Sequence, residues 1–280
     1  MTRRTWLITG VNSGFGRLMT EQLLGRGDRV AGTVRRLDSM NDLKAKYGAS
    51  LWLGGLDVTD TAAIKKTVDG AFADLGKIDV VVNNAGYGLF GAVEGLADGQ
   101  IAHQISTNLV GPIQVTRAAL PHLRNQGGGR IIAISTYGGQ AASPGASLYC
   151  ASKWGMEGFF DAIGGEVASF NIGVTIIEPG GARTGFRNAA RTNMGAALDA
   201  YKGTPVDMIG AVLKDPLRLP VGDPEKMVKI IIDSVETSPA PKRIALGGDA
   251  YTAIQKALSG RLASIEAQKE TAFSADFPSQ

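Results

Sequence analysis

Short runs rich in valine and isoleucine recur along this chain, and between them lie longer segments of helical period. The runs are "TWLITG" (5–10), "RVAGTV" (29–34), "SLWLGGLDV" (50–58), "DVVVNNAG" (79–86), "RIIAIS" (130–135) and "GVTIIEPGG" (173–181). Helical period appears in "FGRLMTEQLLGRG" (15–27), where Leu18, Leu23 and Leu24 share one side, and in "AAIKKTVDGAFADLG" (62–76). A helix at about 224–237 leads to a seventh strand, "RIALGG" (243–248), and a last helix covers about 249–270. Strands that alternate with helices build βαβ units, and their sheet is parallel and buried on both faces. Right-handed crossovers then lead to an α/β fold with a doubly wound parallel sheet of about seven strands. The 280 residues suffice for one such domain. Residues 185–223 carry Gly, Met, Asn and Pro without a clean period. They read as an inserted lobe over the sheet edge, not as a second domain.

Composition narrows the function classes. A formal charge of +3 is too weak and too evenly spread for a nucleic-acid partner. One cysteine, Cys150, excludes an internal disulfide framework and fits a reducing cytoplasm. Two isolated histidines and that cysteine make no metal-ligand cluster. The N-terminus begins basic and turns apolar, but Trp6-Leu7-Ile8 is broken at once by Thr9-Gly10 and Asn12. That is too short for a signal peptide, and no run approaches the roughly 18 apolar residues of a membrane span.

The turn after the first strand carries more. "TGVNSGFG" (9–16) ends a strand and opens a helix. Gly10 permits a tight turn; Gly14 and Gly16 remove side chains where backbone must approach a pyrophosphate and where helix meets sheet. A free helix N-terminus offers N–H groups to phosphate. This is the dinucleotide-binding arrangement of a Rossmann fold. In such folds an acid near the end of the second strand holds the adenosine ribose. Here the stretch reads Thr33-Val34-Arg35-Arg36, with no acid before Asp38. Two guanidiniums suit a 2′-phosphate and would be idle against a bare hydroxyl, so NADP(H) is expected over NAD(H).

The sequence resembles the classical short-chain dehydrogenase/reductase family over roughly residues 5–185. The matching stretches are "TGVNSGFG" (9–16), "LDVTD" (56–60), "NNAG" (83–86), "TNLVG" (107–111), "ISTYGG" (134–139), "YCASK" (149–153) and "PGGART" (179–184). Each alone is modest; seven in order are specific. "LYCASKWGMEGF" and "IEPGG" look most like the branch of retinol and hydroxysteroid dehydrogenase relatives.

The resemblance implies an oxidoreductase that interconverts a carbonyl and an alcohol by hydride transfer. Tyr149 is then the acid in reduction or the base in oxidation. Lys153, four residues on and so on the same helical face, lowers the phenol's pKa and binds the nicotinamide ribose. A further family hydroxyl stands thirteen residues before the tyrosine; the count lands on Thr136, where serine is commoner. Ser135 is the rival, and strand neighbours point to opposite faces. Asn108 matches the residue that holds a proton-relay water. Cofactor contacts are implied for Gly10, Asn12, Ser13, Gly14, Phe15 and Gly16 at the turn, and for Arg35 and Arg36. They are implied too for Asp57 and Val58 beside the adenine, and for Asn83, Ala85 and Gly86 under the ribose. Pro179, Gly180, Ala182 and Thr184, with Tyr149 and Lys153, complete the set near the nicotinamide.

Met194, Leu198, Met208, Ile209 and Leu213 make residues 185–223 apolar, which suggests a lipophilic substrate. His103 and His122 read as surface residues, Cys150 as a small buried one, Trp154 and Met156 as packing. The family pairs the helices expected at about 99–124 and 148–170 across a two-fold axis. Trp154, Phe159, Phe160 and Ile163 on the second favour such a homodimer or homotetramer. Two rival functions stand beside the reductase. A non-catalytic NADP(H)-binding redox sensor would be favoured by loss of Tyr149 or Lys153. A sugar-nucleotide epimerase or dehydratase would carry a longer chain and a different glycine spacing.

Overall fold

The computed structural model describes residues 3–277. Seven parallel strands form one sheet: β1 (Thr5–Thr9), β2 (Arg29–Val34), β3 (Leu51–Gly55), β4 (Val80–Asn83), β5 (Gly129–Ile134), β6 (Ile172–Pro179) and β7 (Arg243–Leu246). Their order is β3-β2-β1-β4-β5-β6-β7, every neighbouring pair parallel. Most strands are rich in apolar residues rather than alternating because both faces are covered; β3, "LWLGG", is apolar without valine or isoleucine. Strand order reverses between β1 and β4, where Leu7 pairs with Val81 and Ala31. Open α/β sheets bind ligands in the crevice at such a point.

The helices are α1 (Gly14–Gly25), α2 (Asn41–Tyr47), α3 (Thr61–Leu75), α4 (Asp98–Ile105), α5 (Gly111–Asn125), α6 (Ser147–Val167), α7 (Phe186–Thr192), α8 (Pro205–Lys214), α9 (Pro224–Asp233), α10 (Gly248–Glu266) and α11 (Lys269–Phe273). One core layer packs Met19, Leu23 and Leu24 of α1 and Val228, Ile231 and Ile232 of α9 against one face of the sheet. The other packs Ile64 and Val68 of α3, Val115 and Leu123 of α5, and Met156, Phe160 and Ile163 of α6 against the opposite face. No helix among the described residues is long and apolar enough to cross a membrane.

Three sequence expectations change. The helix expected at about 99–124 is two helices joined by a π turn over Ser106–Val110, which buries Thr107 and Asn108. Such turns re-aim side chains and concentrate at functional sites. Phe160 and Ile163 do not form an exposed pairing face on α6, because the sheet already covers them. Trp154 is not packed inside: it is 41% exposed, with the Arg261 guanidinium 4.7 Å over its ring. Helix α2 was not anticipated. Its seven residues, "NDLKAKY", bury only Leu43 and so carry almost no period.

Candidate active site

At the C-terminal ends of the strands a cleft of about 1340 Å³ runs from Arg35 at the end of β2, past the glycine turn, to Tyr149 on α6. Its first part is built by the β1–α1 turn. Gly10 and Gly14 hold φ of 73° and 53°, a region that glycine enters freely. A Cβ at Gly16 would overlap the Gly10 carbonyl oxygen, so Gly16 lets α1 close onto the turn and does not itself line the cleft. Ser13 makes no side-chain cap to α1. The first N–H groups of the helix are therefore left without a side-chain cap where Asn12, Ser13, Gly14 and Phe15 line the cleft. Asn84 was missed in the sequence. Its Nδ2 donates to the carbonyls of Thr9 (2.8 Å) and Gly10 (3.0 Å), latching β4 to the turn. The second asparagine of "NNAG" was the available signal.

At the β2 end Arg35 is exposed on the cleft and makes no ion pair among the described residues, whereas Arg36 stands outside the lining, 3.6 Å from Asp38. Asp57 and Val58 line the same end. Asp57 accepts from the Thr59 backbone (2.9 Å) and hydroxyl (2.8 Å), which hold its carboxyl below the usual range. Ala85 and Gly86 line the cleft, but Asn83 does not: its amide lies buried against the Thr116 hydroxyl at 3.1 Å. Neighbouring residues of a strand point to opposite faces, and the side chain of Asn83 takes the α5 side.

Tyr149, Lys153 and Thr136 come together at the other end. Thr136 follows β5 and is buried; its hydroxyl donates to the Pro179 carbonyl at 3.3 Å and lies beside the Tyr149 side chain. Ser135 lines the cleft too, with its Oγ buried and unpartnered. Lys153 is 4% exposed and donates Nζ to the Ile134 carbonyl at 2.7 Å. Burial pulls its pKa down to about 8. Burial also pushes the Tyr149 phenol well above its usual value, opposed by the Thr136 hydroxyl. The Tyr149 ring stands between Phe90 and Phe186, at centroid distances of 5.6 and 5.9 Å.

Asn108 lies behind this end and outside the lining. Its Oδ1 accepts from the Tyr87 N–H (3.0 Å); its Nδ2 donates to the Tyr87 carbonyl (2.8 Å) and the Ser152 hydroxyl (3.2 Å). The π turn presents it there. Gly86 packs closely here: a Cβ would stand 3.1 Å from Asn108 Oδ1, tighter than usual contact, and 3.6 Å from Lys153 Nζ. Pro179, Gly180, Ala182 and Thr184 line the cleft between Tyr149 and the turn. Phe186, Ile209 and Leu213 add an apolar wall, while Met208 is 61% exposed. His103 is exposed on the rim, its Nδ1 2.8 Å from the Tyr87 hydroxyl. His122 is half-buried, stacked on Phe72 and 2.8 Å from Asp69.

A dinucleotide fits this shape. The glycine turn leaves exposed backbone and a free helix end for the phosphates, and the cleft leads from there to both ends. Known proteins agree. The family model described as short chain dehydrogenase matches residues 4–195. Oxidoreductase BOA17 of Botryotinia fuckeliana is 34% identical over 268 residues, covering 95% of this chain and 97% of its own. A 3-ketodihydrosphingosine reductase of Bacteroides thetaiotaomicron is 36% identical over 180 residues, 64% of each chain. The solved short-chain dehydrogenase of Streptomyces avermitilis superimposes with a TM-score of 0.89 at 33% identity, covering 99% of this chain and 100% of its own. ElxO with NADP bound shares the fold at a TM-score of 0.73 and 22% identity, covering 90% of this chain and 100% of its own. Sequence, sheet order and cleft thus converge: the chain belongs to the short-chain dehydrogenase family and is an NAD(P)-dependent oxidoreductase of small molecules.

Proposed function

We propose that this enzyme interconverts a carbonyl and an alcohol, uses NADP(H) in preference to NAD(H), and moves the proton through Tyr149. The observation that carries the reading is that Tyr149 and Thr136 meet at the end of the cleft, with the Lys153 amine buried one helical turn away. When bound, the cofactor supplies or takes the hydride. The chain's own residues do the rest. Thr136 orients the substrate oxygen, Tyr149 gives that oxygen its proton, and Lys153 favours the phenolate that is left. Phe90, Phe186, Ile209 and Leu213 give the cleft an apolar wall that favours a lipophilic substrate. Likeness to a 3-ketodihydrosphingosine reductase supports a ketone as the oxidised form. Oxidation of NADPH across a panel of ketones and aldehydes tests the reading; turnover of none would refute it. Because Lys153 is charged below about pH 8, reduction should slow as pH rises through that value. A profile flat from pH 6 to 10 would remove Lys153 from this role.

Cofactor choice rests on Arg35. A charge-assisted contact to a phosphate contributes about 1.5–3 kcal/mol, on the order of tenfold or more in affinity. Dissociation constants should therefore favour NADPH over NADH by about that factor. Arg35→Ala should erode the preference while leaving NADH binding nearly intact. Arg36→Ala should do less, since Arg36 faces Asp38 outside the cleft. Equal affinities in the wild type would rule out the preference. A homodimer or homotetramer, which the family likeness favours, is proposed on that ground alone; a monomer by light scattering at micromolar concentration would exclude it.

A further inference from the structure

Two carboxyl side chains lie buried together one helical turn beyond Lys153. Glu157 follows Lys153 by four residues on α6; Glu178 precedes Pro179 at the end of β6. They are 5% and 2% exposed. One cation reaches both. Arg243 at the start of β7 places Nε 3.0 Å from Glu157 Oε2 and 3.5 Å from Glu178 Oε1, and Nη1 3.3 Å from Asp161. Gln140, four residues past Thr136, donates its amide to Glu178. Gly139 brings the same loop against the pair: a Cβ there would stand 2.7 Å from Ser135 Oγ and 2.8 Å from Glu157 Oε1. Both of those oxygens are buried without a hydrogen-bond partner.

The cluster therefore ties together the elements that hold the reaction end. Helix α6 carries Tyr149 and Lys153, the loop after β5 carries Thr136, and β6 ends in the Pro179 carbonyl that Thr136 contacts. An apolar trio of similar volume would join these elements without the desolvation cost of buried charge. What apolar residues could not do is place charge beside Lys153.

We infer that Glu157 and Glu178, bridged by Arg243, form a positioning unit that governs the charge state of Lys153 and, through it, Tyr149. The inference rests on the roles proposed above for that pair. Burial, with Glu157 as neighbour, lifts the Glu178 carboxyl to about 7, while Glu157 opposes the fall that burial imposes on Lys153. The groups in contact with the unit are Asp161 on α6, Arg243 on β7, and the uncharged Ser135 and Gln140 on the loop after β5; Lys153 stands one helical turn before Glu157 on α6. When Glu178 loses its proton, the added negative charge keeps the Lys153 ammonium protonated to higher pH.

Lysine ¹³Cε NMR reads this directly, with the Lys153 signal assigned through Lys153→Arg. Glu157→Gln keeps the shape and removes the charge, so the Lys153 midpoint should fall by about one pH unit. Coincident midpoints in wild type and variant overturn the inference. Should Glu157→Gln misfold, Glu178→Gln serves, and it should lower the midpoint by about half a unit. Its amide resembles the protonated acid, so it also tests the buried proton by stability. A carboxyl raised in the folded state contributes stability that is full below its unfolded pKa and lost as pH rises through about 7. The Tm of Glu178→Gln minus that of wild type should therefore increase from pH 5 to pH 8, and a constant difference overturns the proton on Glu178. In turnover, the alkaline fall should follow the Lys153 midpoint. If the midpoint moves and the rate profile does not, the role proposed for Lys153 fails and with it the link to Tyr149, while control of the Lys153 charge stands.

Discussion

Tyr149→Phe is expected to keep the fold and NADPH affinity and to lower turnover by about 10²–10⁴-fold, the usual worth of a positioned general acid. The ring stays, and with it the contacts to Phe90 and Phe186. Only the hydroxyl that meets Thr136 is lost. In the proposed role the phenol is protonated, as a donor to a carbonyl oxygen must be, and the Lys153 ammonium would then stabilise the phenolate. Melting temperature, cofactor dissociation constant and kcat measured together decide the matter. A variant that binds NADPH normally and turns over within a few-fold of wild type would remove Tyr149 from the proton path.

Thr136→Ala should cost on the order of 10²-fold in kcat, since a donor aimed at a developing oxyanion is worth about 3 kcal/mol. Thr136→Ser should retain most activity, because the hydroxyl rather than the methyl meets the substrate oxygen. Ser135→Ala should matter far less to the chemistry. The Ser135 hydroxyl lies beside Glu157 under Gly139, while Thr136 is the residue beside Tyr149. If Ser135→Ala is the crippling change and Thr136→Ala is near wild type, the substrate-binding hydroxyl belongs to Ser135.

All seven strands could be located from the sequence, because a sheet buried on both faces demands continuous apolar runs and most of the runs here end in Gly, Asn, Asp or Ser. The elements that escaped are those with weak or competing local signals. Helix α2 is short and polar, and its place depends on Leu43 reaching the core. The π turn at Ser106–Val110 has no pattern of its own; "STNLVGP" reads as continuous helix until α4 and α5 must both pack. The face assignments on α6 failed for a similar reason. Phe160 and Ile163 looked like surplus apolar surface because the reach of the sheet beneath them could not be counted along the chain.

The site divides in the same way. Tyr149 and Lys153 share a face by helical geometry alone, and the glycine turn is set by spacing between a strand and a helix. Those relations are local, so the sequence by itself determined them, along with the sheet and the family. Only the tertiary structure decided that Asn84, not Asn83, latches the turn. It alone decided that Arg35, not Arg36, faces the cleft, that Phe90 and Phe186 flank Tyr149, and that Arg243 draws Glu157 and Glu178 together behind Lys153. Each of these depends on which way a side chain turns when distant segments meet. Sequence spacing sets direction within one element, but contacts between elements follow from the crossovers and the packing of the whole sheet.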